Sequence, residues 1–402
     1  MRILLSAHSC EPGRGSESGA GYAAMRAAAS LGDVWLLTRR NNVESIERAL
    51  AADPPPHQVR VVGLDGGPVS LGIKGRTGAH RLYNSFWQRL VARRASELHA
   101  EIGFDLAHHA TLASYWMPIG ILPLDVPVVV QAGGAETVPR SLLPYLGVSE
   151  TLQQAVRMTA RAVVGRRTWK KRSAGQPTIL IAQNDDMARF ASQGYLASVF
   201  DEVFVFPNAA DPDLDEWTPG SQPRRPSVLF VGHLGRHKGT HVAVDAFARV
   251  QDPDARLTLV GSGTDAALLR RIERLGLADR VELTGRIPRV QVLEEMNQAG
   301  VLIAPFLRDS AGFAVSEALS VGLPVVALDH AGPASIARLW PADRSDLVPV
   351  GSRRSTIDRL GSALEKRLRD LPPVPTRLEP AGERLLPVLT RAYAVAMDRG
   401  SA

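Results

Sequence analysis

Ser227-Val-Leu-Phe-Val231-Gly232-His233-Leu234-Gly235-Arg236-His237-Lys238-Gly239-Thr240 begins as a buried strand, turns through glycines and opens a helix over Thr240–Val250. A short apolar run that gives way to a glycine-rich turn and then a helical stretch is one repeat of a parallel α/β sheet. The glycines let backbone approach a ligand closely. Lys238, placed where the helix begins, adds its charge to unsatisfied N–H groups and the positive end of the helix dipole, as a diphosphate site requires. A Walker A loop needs Gly-Lys followed by Ser or Thr, and the order Lys-Gly-Thr excludes it. A tight turn with an exposed lysine would read the same way.

Outward from this stretch the pattern repeats. Arg2–Ala7, Asp33–Thr38, Gln58–Leu64, Leu106–Ala110, Val126–Ala132, Thr178–Gln183 and Val203–Pro207 precede it, and Arg256–Gly261, Arg280–Gly285, Val301–Phe306 and Leu323–Leu328 follow. The runs are apolar throughout, as strands covered on both faces must be. Between the halves, Asp211-Pro212-Asp213-Leu214-Asp215-Glu216 and Pro219-Gly220-Ser221-Gln222-Pro223-Arg224-Arg225-Pro226 have linker composition. The expected fold class is α/β, two doubly wound Rossmann-like domains facing a central cleft. Ligands in such sheets bind beyond the carboxyl ends of the strands. The expected boundaries are a first domain over 1–205, a linker over 206–226, a second domain over 227–385, and a terminal helix over 386–402 packing back on the first domain.

Bulk properties agree. With 402 residues the chain exceeds one ordinary core, and 45% hydrophobic against 22% charged residues excludes wholesale disorder. The single cysteine, Cys10, excludes a disulfide framework and a cysteine-rich metal site. No apolar run is long enough to span a bilayer, and the N-terminal run is too short for a signal-peptide core, so the expected location is cytoplasmic. A net charge of +6 suits anionic partners. Arg157, Arg161, Arg166, Arg167, Lys170, Lys171 and Arg172 form a basic segment without an acid, read either as a solvated helix face or as a peripheral contact with the anionic inner face of a membrane. No stacking array of aromatics accompanies it, so nucleic acid is not an expected partner.

A second constellation follows the strand at Val301. In Arg308-Asp309-Ser310-Ala311-Gly312-Phe313-Ala314-Val315-Ser316-Glu317, Ser310 is expected to cap a helix over Gly312–Val321, ended by Gly322 and Pro324. Free N–H groups near Gly312, Phe313 and Ala314 would grip phosphate while Asp309 and Glu317 grip hydroxyls. Glu317 sits in an apolar turn and needs hydrogen-bond partners. A surface glutamate is the bland alternative.

With Gly232…Lys238-Gly239, Val260-Gly261-Ser262-Gly263, and Asp309 and Glu317 eight residues apart, Val231–Pro333 resembles the donor half of family 4 of the retaining glycosyltransferases, which have the GT-B fold. The resemblance is clear over about the last 180 residues and loose over the first 200. It departs from the family pattern in two places: Asp309 stands where glutamate is more usual, and His233 where a loop arginine is expected.

The resemblance implies a metal-independent transferase moving sugar with retention from a nucleotide-diphosphate donor to an unidentified acceptor. Lys238, Arg236 and His233 would meet the diphosphate. Gly261 lies in the second glycine loop, Arg286 and Ile287 would face the base, and Glu317 the ribose. Asp309 with the backbone of Gly312, Phe313 and Ala314 would hold the transferred sugar. Gly15 and Gly19 belong to a first loop closing over the phosphates, one of His108 and His109 would face the cleft as a catalytic group, and Gly133, Gly134 and Glu136 would line the acceptor side. No cofactor and no metal are expected: Asp211/Asp213 and Asp252/Asp254 are Asp-Pro-Asp, better explained as turns. A sugar-nucleotide epimerase of the same fold, or a non-catalytic nucleotide-sugar sensor, would share the diphosphate grip.

Overall fold

The structure is a computed structural model and describes residues 1–13, 16–65, 80–112, 114–172, 175–207, 214, 217–371, 374–379 and 384–400. Gly15, Asp211 and Asp213 lie outside them. The chain forms two compact units. The first comprises Met1–Ala135, Val156–Asn208 and Glu383–Ala402, and the second Glu136–Ala155 and Ala209–Gly382. The N-terminal domain expected over 1–205 therefore lacks a segment, because 136–155 packs with the second unit.

In the first unit the elements run β1 (Arg2–Ala7), α1 (Ser16–Ala29), β2 (Asp33–Arg39), α2 (Val43–Ala52), β3 (Val59–Leu64), α3 (His80–Ile102), β4 (Leu106–Thr111) and β5 (Val128–Ala132). Helix α4 (Gly147–Trp169) carries the chain from 147 onward, followed by β6 (Thr178–Ala182), α5 (Asp185–Ala191) and β7 (Glu202–Val205). The seven strands pair in parallel in the order β3-β2-β1-β4-β5-β6-β7. Ile3, Leu4, Leu5, Val128, Val129, Val130, Ile179 and Leu180 have no exposure, since both sheet faces are covered.

The second unit holds β8 (Ser227–Val231), α6 (Thr240–Phe247), β9 (Arg256–Val260), α7 (Ala266–Arg274), β10 (Val281–Gly285), α8 (Arg289–Gln298), β11 (Val301–Ala304), α9 (Phe313–Ser320), β12 (Val325–Leu328), α10 (Ala331–Ala337), β13 (Ser345–Val348) and α11 (Arg353–Arg369). The order is β10-β9-β8-β11-β12-β13, again all parallel. Strand β13, Ser-Asp-Leu-Val, is too polar to show as an apolar run and pairs at the edge with β12. The last helix, α12 (Leu385–Gly400), returns to the first unit and packs on α1 and on β4 to β7. Each sheet is doubly wound and reverses direction at one point, between β1 and β4 in the first unit and between β8 and β11 in the second. Crevices at such switch points are where open α/β sheets take ligands.

Candidate functional site

The switch point of the second unit brings together the two stretches quoted above. The β8 loop and the β11 loop meet backbone to backbone: Arg308 N–H donates to His237 O at 3.0 Å. Gly239, with φ 69°, lies so close to Pro305 that a Cβ would stand 2.0 Å from its carbonyl oxygen. Lys238 is thereby set against Asp309, Nζ to Oδ2 2.7 Å, with its ammonium 4.9 Å from the centre of the Phe306 ring. The helix starts at Thr240 as the sequence suggests, and ends earlier, at Phe247. Arg236–Lys238 form a 3-10 turn and Gly239 is left-handed, so Lys238 stands just before the N-cap of α6.

The neighbouring strand ends are tied to the same loop. Gly232 N–H donates to Val260 O at 3.0 Å, Leu234 N–H to Ser262 O at 2.7 Å, and Gly261 N–H to Gly285 O at 2.9 Å. Gly261 has φ 142°, and a Cβ there would fall 1.7 Å from Gly232 O. His233 lies over Gly263 and stacks on His237 at 5.8 Å between ring centres. Burial, then the neighbouring His237 and Lys238, push its pKa below the ordinary histidine value. His233 therefore offers a neutral ring near pH 7 rather than the fixed charge of an arginine. Arg236 is engaged differently from expectation: its Nε donates to Asp265 Oδ2 at 2.9 Å, while Asp265 Oδ1 caps α7 through Leu268 N–H at 2.6 Å.

At the β11 end, Ser310 does not cap α9. Its hydroxyl donates to Glu136 Oε2 at 2.8 Å, and the cap position is Gly312, left-handed at φ 71° and without a side-chain bond. A Cβ on Gly312 would press within 3.1 Å of Pro333, so the loop is shaped by contact with the β12–α10 turn. Asp309 fixes that loop through Oδ1, which accepts from Ala311 N–H at 3.3 Å, and through its carbonyl, which accepts from Gly332 N–H at 2.9 Å. Among the described residues, the N–H groups of Gly312, Phe313 and Ala314 donate to no backbone or side-chain acceptor. Three such donors at a helix start are the kind of group that can take an anion.

Glu317, on the next turn of α9, pairs with Arg289 at 3.0 Å, both side chains mostly buried. Arg289 opens α8 just after Arg286, which is exposed, and Ile287, which packs on the core. The partnership between Arg289 and Glu317 spans 28 positions, and no local pattern announced it. Glu136, expected with Gly133 and Gly134, falls on the other side of the unit boundary. It is 1% exposed in the second unit beside Ser310, whereas both glycines belong to the first unit.

The first unit corrects the histidine expectation. His108 and His109 lie inside β4 with no exposure. His108 Nδ1 is 2.8 Å from the Tyr393 hydroxyl, and His109 Nδ1 is 3.3 Å from Ser6 Oγ. Burial pushes His108 down to about 3, with His109 beside it adding to the shift, and pushes His109 down to about 4. Both rings are packed inside a strand, where the sequence had suggested that one of them faces a cleft. Gly133 O accepts from Tyr115 N–H at 3.2 Å and Gly134 O from Arg157 at 3.3 Å, so this pair shapes the loop that follows β5. Gly19 is inside the first turns of α1. A residue the sequence reading passed over stands beside it: Glu17 Oε1 accepts from Leu112 N–H at 2.5 Å, where Leu112 is left-handed at φ 51°. Burial pushes the Glu17 carboxyl above the usual range. Asp252 accepts from Asp254 N–H at 2.9 Å, a local turn.

The family model described as glycosyl transferases group 1 matches residues 213–369, a stretch that covers β8 through α11. The D-inositol 3-phosphate glycosyltransferase of Segniliparus rotundus is 27% identical over 373 residues, 82% of this chain and 77% of that protein. Among solved structures, sucrose-phosphate synthase of Thermosynechococcus elongatus superposes with TM-score 0.54 at 19% identity, over 92% of this chain and 94% of its own. The Anabaena protein HepE, solved in complex with UDP, superposes with TM-score 0.52 at 18% identity, over 99% and 95%. These likenesses show two Rossmann-like units of the GT-B type.

Proposed function

Because residues 213–369 place the chain in the glycosyl transferases group 1, and so make it a glycosyltransferase, we propose that it moves a sugar from a nucleoside-diphosphate donor, with retention of configuration and without a metal. The observation that carries this reading is the set of donors at the β8/β11 switch point: one lysine, held by Asp309 at 2.7 Å, and three helix-start N–H groups that have no acceptor among the described residues. In sugar transfer the bond to the anomeric carbon breaks and negative charge gathers on the diphosphate. Preorganised donors at that charge are the usual largest contribution to catalysis.

In this proposal Lys238 and the N–H groups of Gly312, Phe313 and Ala314 take the diphosphate and the transferred sugar. His233 contributes a neutral donor. Arg236, already bonded to Asp265, orders the loop from behind. Glu317 keeps acceptor capacity beyond its contact with Arg289, since a carboxylate offers about four lone-pair sites, and takes the ribose hydroxyls. Ile287 and the main chain of Arg286 flank the base. A fold relative holding UDP makes uridine diphosphate the first nucleotide to try.

We place the protein in the cytoplasm, with a peripheral contact to anionic lipid through the exposed part of its basic segment. That part is narrower than the sequence suggests. Arg161 is buried and donates to Ala135 O, and Arg172 donates to Leu124, Val126 and Pro177 carbonyls and to Thr178 Oγ1. Arg166, Arg167, Lys170 and Lys171 remain exposed.

The test is a thermal-shift and calorimetric panel of nucleoside diphosphates and their sugars. A ligand at about 100 times its dissociation constant adds ~2.7 kcal/mol of stability. Stabilisation by one nucleoside diphosphate, and its release from the sugar donor, is expected. Conversion of the donor to another sugar with no acceptor present would show an epimerase instead.

A further inference from the structure

The inner face of helix α4 holds polar side chains: Gln154 is buried and accepts from Arg308 at 2.8 Å, and Arg161 is buried against Ala135. Arg157 donates to Gly134 O at 3.3 Å. Five apolar side chains of the helix face water. Val148 is 90% exposed, Leu152 66%, Val156 63% and Val163 47%, with Met158 at 54% on the flank. Positions 148, 152, 156 and 163 fall on one face of a 3.6-residue helix. At 163 the apolar row ends, and the same face continues at 166 and 167 as Arg166 and Arg167, with Lys170 and Lys171 in the turn that follows the helix. The only acid in the helix, Glu150, points away from this face, 3.9 Å from His237.

An exposed apolar row of this length is costly in water, and single exposed valines on ordinary surface helices do not line up four deep. A row that ends in four cations with no acid matches an interfacial helix, whose apolar face enters the headgroup boundary while its basic residues meet anionic lipid. We infer that α4 lies in the surface of an anionic bilayer, with Leu152, Val156 and Val163 inserted and Arg166, Arg167, Lys170 and Lys171 at the phosphates. This rests on the peripheral membrane contact proposed above and deepens it: the contact is hydrophobic insertion steered by charge, not charge alone. A second copy of the chain is disfavoured as the occupant, because the face carries four cations and no acid to pair with them.

The two readings separate by salt, since salt screens the cations and leaves apolar insertion intact. Flotation of the full chain with phosphatidylglycerol–phosphatidylcholine vesicles, at low and high salt, is compared with phosphatidylcholine vesicles. Wild type is expected to bind the anionic vesicles, with part of the binding surviving high salt. V156E/V163E places charge at two exposed helix positions and leaves the fold intact, as an unchanged Tm checks. It is expected to lose the salt-resistant part and at least about tenfold in affinity, the factor set by ~1.4 kcal/mol. Alanine at 166, 167, 170 and 171 is expected to remove the low-salt part. If V156E/V163E binds as wild type does, the basic contact stands and the insertion is overturned. If wild type binds no vesicle, both fall. A concentration-dependent dimer in sedimentation equilibrium, abolished by V156E/V163E, would overturn the proposal by showing the face to be an interface between copies.

Discussion

Lys238 and Glu317 each reach the candidate site already holding a partner, and this shapes what their removal should do. Lys238→Ala leaves the Asp309 carboxylate without its ammonium at 2.7 Å. Losing one preorganised electrostatic contact costs about 10²–10³ in rate, and that loss in nucleoside-diphosphate release is the expected outcome; wild-type turnover would remove Lys238 from the site. From sequence, Glu317 is an acid in an apolar turn whose missing partner is a ribose diol. The structure supplies Arg289 at 3.0 Å as well, so Glu317→Gln should lower Tm in addition to weakening binding. A charge-assisted hydrogen bond contributes about 1.5–3 kcal/mol, which predicts at least ~10-fold weaker nucleoside-diphosphate binding by calorimetry. An affinity equal to wild type, with Tm alone lowered, would reduce Glu317 to an ion-pair partner of α8.

The loops between elements were legible to different depths. The glycines of Gly232–Gly239 announced a close turn, because only a residue without a Cβ fits where backbones touch. What they touch was not legible: Gly239 is needed by Pro305, which lies on another loop 66 positions away. Ser310 shows the same limit, since its sequence position fits a cap while its hydroxyl goes to Glu136. Gly239→Ala is the sharpest test of the loop-to-loop contact. It puts a side chain at φ 69° and 2.0 Å from a carbonyl oxygen, so the backbone must move. Left-handed strain in a non-glycine residue costs about 1–3 kcal/mol. Tm should fall by roughly 2–4 °C per kcal/mol in a domain of this size, with the 2.7 Å approach of Lys238 to Asp309 lost as well. A variant as stable and as active as wild type would show that the two loops need no such contact.

Across the molecule, the doubly wound order of both sheets was readable because strands covered on both faces must be continuously apolar. Returns of the chain were less readable, since a segment such as 136–155 joins the second unit through contacts distant in sequence. The terminal helix is the return with the clearest consequence for stability. It closes the first unit and buries Val388, Leu389, Ala392, Tyr393 and Ala396, and Tyr393 sets its hydroxyl 2.8 Å from His108 Nδ1. That histidine is held neutral down to about 3, and its neighbour His109 to about 4, against an ordinary value of 6.5. Above pH 6.5 neither the folded nor the unfolded chain protonates these rings, so they add no pH dependence. As pH falls below 6.5, the unfolded chain takes up protons that the folded chain refuses, and stability drops until pH approaches 4 and then 3. His109→Gln removes one such group and keeps a polar side chain within reach of Ser6. Whatever its Tm at pH 7, its Tm should fall less than that of wild type between pH 7 and 5. Parallel Tm curves for the two proteins across that range would mean that the ring is protonated in the fold, and that β4 does not seal it from water.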